Sequence, residues 1–280
     1  MGTAVLGRLA ATGDETLLAT DADRGRVSAV TSLGAKWVAD ARDLAAAADI
    51  VLTILPGSEE LQNAMSQVLG ALRPAASWID MTSAAPSVGV ALRRQAGCAC
   101  LEAPIGGGPE AMRQGRAQLF VGGDREIVEQ HRALLERLGR IEHIGAAGAG
   151  YTAKLIVNLL WFTQAISLTE GLLLARSRAI EPDVLAPVLA RSAAASAFVD
   201  HDLDRLLEGD YLTSFGVARC YEELQAVVSL AQETDLPFEL SRLVRDMYGQ
   251  AVDEFGPADG ELLPVAMLER RAGVQLRRSE

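Results

Sequence analysis

The sequence predicts an α/β domain on a doubly wound parallel sheet, followed by an all-helical domain. Three observations carry this expectation. Short apolar runs alternate with amphipathic stretches from Thr16 to about Gly145, with brief Gly/Pro joints between them. Beyond "GAAGAGYTAK" every periodic segment has helical spacing. The glycine-rich joint at 145–150 divides the two patterns. Domains are therefore expected over residues 1–147 and 148–280, the second opening on a long interdomain helix.

In order, "MGTAVLGRLAATG" reads as a helix, with Val5, Leu6, Leu9 and Ala10 on one face and Gly13 closing it. "TLLAT" is a strand that runs up to Asp21. "RVSAVTSL" is a helix closed by Gly34, "AKWV" a second short strand and "ARDLAAAA" a helix. "DIVLTILP" has the unbroken apolar run of a strand buried on both faces. "SEELQNAMSQVLGAL" is a helix that Ser58 is expected to cap. "SWIDMT", "CACLEAPI", "AQLFVGG" and "IEHIG" are strands. Between them, "PSVGVALRRQAG", with Pro86 near its start, and "REIVEQHRALLERLG" are helices. The second half holds a long apolar helix to about Arg176 and then five shorter helical segments.

Composition narrows the partners. A net charge of -11 gives no basic surface for nucleic acid or an anionic membrane, while a small acidic substrate stays open. Cys98, Cys100 and Cys220 form neither a metal-ligand spacing nor an even disulfide set, so reduced thiols in the cytoplasm are expected and no metal site. No basic start with an apolar core marks a signal peptide. The apolar stretch from Leu155 carries Asn158, Gln164 and Glu170, which reads as a buried helix of a folded domain, not a membrane span.

A doubly wound sheet binds its ligand at the carboxyl ends of its strands. For a dinucleotide the first unit is strand, G-x-G-x-x-G, helix and strand, with an acidic residue about 20 positions on. The second half of that unit is present: Gly2 fits the third glycine, and Asp21 stands where a carboxylate accepts both ribose hydroxyls of NAD. An apolar strand with the first two glycines is expected immediately before Met1, which places the genomic start upstream. A fold that begins with a helix and binds no dinucleotide is the alternative.

Lys154 and Asn158 stand four residues apart on one helix face among apolar neighbours. Lys36 and Lys154 are the only lysines, in a chain with 26 Lys and Arg together, so a retained amine at Lys154 points to proton chemistry. A lysine in a desolvated cleft has a lowered pKa and suits proton transfer near neutral pH. A lysine neutralised by a carboxylate is the alternative. Gly106, Gly107 and Gly108 follow a strand; their N–H groups suit a carboxylate, or they serve a tight turn.

Five segments share the order and spacing of one family's motifs. "MG" matches the end of G-L-G-x-M-G, and "DIVLTILP" is similar to D-V-V-I-T-M-L-P. "IDMTSAAP" is similar to I-D-M-S-T-x-x-P. "EAPIGGGPEAMRQGRAQLFVGG" is similar to D-A-P-V-S-G-G-x-x-G-A-x-x-G-T-L-x-x-M-V-G-G. "GAGYTAKLIVN" is similar to G-x-G-x-x-x-K-x-x-N-N. The chain thus resembles the 3-hydroxyisobutyrate dehydrogenase, or β-hydroxyacid dehydrogenase, family along essentially its whole length. The resemblance implies a Rossmann-like domain, NAD or NADP, and hydride transfer to or from a small β-hydroxyacid or semialdehyde. It implies cofactor contacts at Met1, Gly2, Asp21, Leu55, Pro56 and Ser83, and substrate contacts at Gly106 to Gly108. Lys154 is then the general acid/base, with Asn158 orienting substrate or lysine, in a homodimer or larger assembly.

Two departures from the pattern stand out. The family has serine where Gly106 stands, and lysine of its K-D-L-x-L-A motif where Glu222 stands in "CYEELQAVVSLA". These departures, with the missing first strand, motivate a non-catalytic dinucleotide or metabolite reader as a rival function, and an imine reductase-like enzyme of related fold is another. Lys154 argues against the second. Arg24 and Arg26 keep NADP open, with Asp21 favouring NAD. His131 and His201 read as solvated, His143 as a strand end, Asp259 as a helix cap and Trp161 as packing between domains.

Overall fold

The computed structural model describes residues 1–278 and divides into a unit of Met1–Lys154 and a unit from Leu155 onward. The first unit begins with α1 (Gly2–Thr12), β1 (Leu18–Ala19), α2 (Val27–Ser32), β2 (Lys36–Trp37) and α3 (Ala41–Ala47). It continues through β3 (Ile50–Thr53), α4 (Ser58–Val68), β4 (Ser77–Asp80), α5 (Pro86–Gln95) and β5 (Ala99–Glu102). Then come β6 (Ile105–Gly106), α6 (Gly108–Arg113), β7 (Ala117–Gly122), α7 (Arg125–Leu138) and β8 (Gly139–Gly145). The long α8 (Ala149–Ser177) carries the chain into the second unit. There follow α9 (Pro182–Ala190), α10 (Ala197–His201), α11 (Leu203–Leu207), α12 (Val217–Glu233), α13 (Glu239–Phe255) and α14 (Leu263–Ala272).

β1 and β2 make a parallel two-stranded sheet, and the other strands a six-stranded one in the order β3-β4-β5-β7-β6, with β8 beside β7. β3, β4 and β5 are parallel, as are β7 and β8. β5 and β7 meet antiparallel, because β6 and β7 form an antiparallel pair that reverses direction there. The Rossmann-like sheet is therefore mixed at that end.

Alternation divides the strand side chains between two cores. Leu52, Ile79 and Leu101 pack with Val5 and Leu9 of α1 and Val128, Leu135 and Leu138 of α7. Val51, Trp78 and Cys100 pack with Leu61 and Met65 of α4, Leu92 of α5, and Tyr151. Caps set several helix starts. Asp40 accepts from the Arg42 N–H at 2.8 Å ahead of α3, and Pro86 pre-sets the first turn of α5. Ser58 is not a cap: it is the first residue of α4, and its hydroxyl accepts the Ala85 N–H at 2.9 Å.

In the second unit Leu155, Leu159, Phe162 and Ile166 of α8 pack on α12 and α13 through Val217, Leu224, Val244 and Tyr248. Ala165 and Leu172 join a further cluster with Phe198, Leu203 and Leu262. By length and composition α8 is apolar enough to cross a membrane, and here one flank of it is core. Within this unit Trp161 lies against Phe162 and Phe198, with its indole N–H on Asp202 at 2.9 Å. Asp259 bridges to Gly216 and caps no helix, since α14 starts from Leu262.

His131 is buried, contrary to the solvated reading. It shares the inner stripe of α7 with Val128, Leu135 and Leu138, and its Nε2 meets Ser77 Oγ at 2.8 Å. Burial pushes its pKa below the ordinary 6.5. The folded imidazole therefore takes up its proton at a lower pH than the unfolded chain, so stability is lost as pH falls below about 6.5 and the unfolded chain binds the proton first. Urea unfolding from pH 7.5 to 5 should show that loss. His131→Leu should flatten it, at a constant cost of about 1 kcal/mol for the stranded Ser77 hydroxyl.

Candidate active site

Three parallel strands end side by side, with Thr53 opposite Asp80 and Asp80 opposite Glu102. Directly opposed residues share a face, so these three side chains form one polar row above the apolar row of Val51, Trp78 and Cys100. Asp80 is 1% exposed and Glu102 2%. Buried carboxylates need hydrogen bonds, and both have them. Asp80 Oδ1 accepts from Thr53 Oγ1 at 2.6 Å and the Thr82 N–H at 3.1 Å, and Oδ2 accepts from the Tyr151 hydroxyl at 2.6 Å. The Trp78 indole N–H donates to Thr53 Oγ1 at 2.9 Å. Glu102 Oε1 accepts the N–H groups of Gly148 at 2.6 Å and Gly150 at 2.9 Å. A carboxylate thus satisfies donors at the start of α8, where the helix dipole favours negative charge.

Burial raises both carboxyl pKa values. The Thr53, Tyr151 and Thr82 donors oppose it at Asp80, and the amides of Gly148, Gly150 and Tyr151 oppose it at Glu102. The Tyr151 phenol goes far above its usual range, first through burial and then through Asp80. Small residues make the fit possible. A Cβ at Gly89 would strike the Tyr151 ring, one at Gly150 the Phe120 carbonyl oxygen, and one at Gly122 the Glu102 carboxylate. Burial likewise pushes the Cys100 thiol up to about 12, so it is no nucleophile.

Lys154 follows this anchored turn, half-buried, and Asn158 follows one turn later on the same helix face. Asn158 Nδ2 donates to Glu223 of α12 at 2.6 Å, and Glu223 is 7% exposed. Because a carboxylate only accepts, the amide orientation is fixed, with Oδ1 turned away from Glu223. Glu223 stands at the aspartate of the K-D-L-x-L-A pattern. Its neighbour Glu222 is exposed and paired with Arg219 at 2.8 Å.

The expected cofactor contacts lie at strand ends and a helix start. Leu55 and Pro56 follow β3, and the Leu55 N–H donates to Thr82 Oγ1 at 3.2 Å. Ser83 lies in the loop after β4. Asp21 is exposed just beyond β1, its carboxylate accepting the Asp23 N–H at 2.9 Å. Met1 and Gly2 form the start of α1, where the Met1 carbonyl accepts from Ala4 at 2.8 Å, and a Cβ at Gly2 would meet nothing within 4 Å. A helix N-terminus fits a pyrophosphate, and Asp21 fits a ribose diol. These residues therefore suit NAD or NADP. Gly107 at φ +93° and Gly108 at +73° do need glycine's freedom. At Gly106 a Cβ would press on the Phe120 ring at 3.0 Å, so a serine would need that ring to move.

Residues 1–148 match the family model "NAD binding domain of 6-phosphogluconate dehydrogenase", and residues 148–267 match "NAD-binding of NADP-dependent 3-hydroxyisobutyrate dehydrogenase". The chain belongs to the 3-hydroxyisobutyrate dehydrogenase family. It is an NAD(P)-dependent oxidoreductase acting on CH–OH groups. It is 26% identical to the 2-(hydroxymethyl)glutarate dehydrogenase of Eubacterium barkeri over 241 residues, 83% of this chain and 80% of that one. A structure of the Mycobacterium tuberculosis 3-hydroxyisobutyrate dehydrogenase with L-serine has a TM-score of 0.84 at 23% identity, covering 95% of each chain. An imine reductase variant of Myxococcus stipitatus with NAD+ reaches 0.64 at 18% identity, covering 96% of each. At those identities the two structures share the fold.

Asp80, Glu102 and Glu223 escaped the sequence reading. The signal for the first two was a carboxylate closing an apolar strand, in "SWID" and "ACLE". Asn158→Asp tests the contact to Glu223, because it sets two carboxylates against each other. Like charges raise the folded pKa values, so the variant's deficit should be largest at neutral pH and shrink as pH falls towards 4. A loss of about 1–3 kcal/mol at pH 7 is expected from thermal unfolding followed across that range.

Proposed function

We propose that this chain transfers hydride between nicotinamide and a small β-hydroxyacid or its semialdehyde, with Lys154 as general acid/base. The observation that carries the reading is Lys154 on a helix whose preceding turn is tied to the sheet by two buried carboxylates. When bound, the dinucleotide supplies or takes the hydride at nicotinamide C4. In the reducing direction Lys154 Nζ gives its proton to the substrate oxygen as the carbonyl carbon gains hydride. In the oxidising direction it takes the hydroxyl proton. Asn158, its amide oriented by Glu223, aligns the substrate oxygen or the lysine. The N–H groups at Gly106 to Gly108 hold the substrate carboxylate.

NAD is favoured over NADP. The exposed Asp21 carboxylate would accept ribose hydroxyls and repel a 2'-phosphate, and Arg26 is already paired with Asp23 at 3.4 Å. The substrate class rests on the family together with Lys154. Gly106 removes the hydroxyl that the family pattern places there. The thiols of Cys98, Cys100 and Cys220 are free, which supports a reducing, cytoplasmic setting. Exposed Leu240 and Leu243 of α13 border an apolar groove with Ile166 and Met247, and a second copy of the chain would cover it.

NAD+ and NADP+ are to be tested with 3-hydroxyisobutyrate, 2-(hydroxymethyl)glutarate and L-serine, and cyclic imines with the reduced cofactors. Lys154→Ala should cut kcat by about 10²–10⁴-fold while NADH binding, read by fluorescence, stays within about twofold. Unchanged turnover removes the proposed acid. Sedimentation of the wild type should show a dimer or larger species, and Leu240→Glu with Leu243→Glu should shift it to monomer. A monomeric wild type ends the assembly proposal.

A further inference from the structure

Asp80 and Glu102 lie 22 positions apart at adjacent strand ends, and both bond to the first turn of α8. Glu102 holds the main chain at Gly148 and Gly150, while Asp80 holds the Tyr151 side chain. The two restraints act on different atoms, so together they fix the position of the turn and its rotation about the helix axis. Gly122 and Gly150 let the backbones approach, and Gly89 leaves room for the Tyr151 ring. Lys154 lies three residues beyond Tyr151 and four beyond Gly150, so it projects from the same side of the helix.

Burying two carboxylates at neighbouring positions of a sheet costs stability, and an apolar pair would pack there more cheaply. A cap alone needs one of them. We infer that Asp80 and Glu102 are positioning residues for the Lys154 amine, acting through the main chain of Gly148 and Gly150 and the side chain of Tyr151. The inference rests on the catalytic reading of Lys154. It adds that the sheet, through these two side chains, sets where that amine stands.

The scarcity of lysine makes the test direct. Reductive methylation of the full-length protein with ¹³C-formaldehyde labels the terminal amine, Lys36 and Lys154, and Lys36→Arg and Lys154→Arg assign the two lysine signals. In Glu102→Gln, Asp80→Asn and Tyr151→Phe the Lys154 signal should move towards the position of the exposed Lys36, whose own signal stays fixed. Glu102→Asp keeps the charge and should restore part of the shift. Should Glu102→Gln fail to fold, Tyr151→Phe breaks only the Asp80 restraint and answers alone.

With 3-hydroxyisobutyrate and NAD+, unmodified variants should lose about 10- to 100-fold in kcat, as a displaced reacting group does, with KM and NADH binding little changed. A Lys154 signal that stays at its wild-type position in the folded variants overturns the inference. So does a shift of both lysines together, which reports general loosening. If Lys154→Ala keeps full turnover, the catalytic reading fails, whereas the methyl signals still report whether the two carboxylates place the amine.

Discussion

The Glu102 carboxylate at the start of α8 is the contact on which the rest of the site depends. Strand β5 carries it into the interior, where an unpaired charge would be intolerable. The N–H groups of Gly148 and Gly150 satisfy it, and they belong to a helix of 29 residues whose dipole favours an anion there. The same bond removes two of the helix's orphan donors. Sequence constraints follow at a distance, since Gly122 must leave space for the carboxylate and Gly150 must lie close to Phe120. Beyond this turn the helix supplies Leu155, Leu159, Phe162 and Ile166 to the core of the second unit. One helix therefore carries an anchored end, Lys154 and a structural apolar strip.

Much of this was legible in the order of residues. The alternation of apolar runs and helices located most of the strands and helices, because packing against a sheet imposes those periods. Lys154 and Asn158 stood out as polar residues on an apolar helix. The mixed strand direction was not legible, since "AQLFVGG" reads the same whichever way it runs. Asp80 and Glu102 looked like ordinary strand ends. Their partners lie 71 and 46 to 48 positions away, and no local pattern announces such a bond. His131 has charged neighbours in sequence, yet its spacing from Val128, Leu135 and Leu138 puts it on the inner stripe.

The two departures from the family pattern each have a local counterpart. Gly106 faces Phe120, so a bulky ring fills space against which the Cβ of a serine would press. Glu222 replaces a lone lysine charge and is paired with Arg219 one turn earlier, which leaves that patch of α12 near neutral. The exposed pair adds little stability, about 0–1 kcal/mol, so its consequence is electrostatic.

Asp21 and Lys154 depend on different contacts. Leu18 and Ala19 pair only with Lys36 and Trp37, and this ribbon shares no ladder bond with the larger sheet among the described residues. Asp21, proposed to accept the ribose hydroxyls, follows β1, whereas Lys154 follows the turn to which Glu102 and Asp80 bond. On the proposed roles, a change of coenzyme preference at Asp21 leaves those bonds in place.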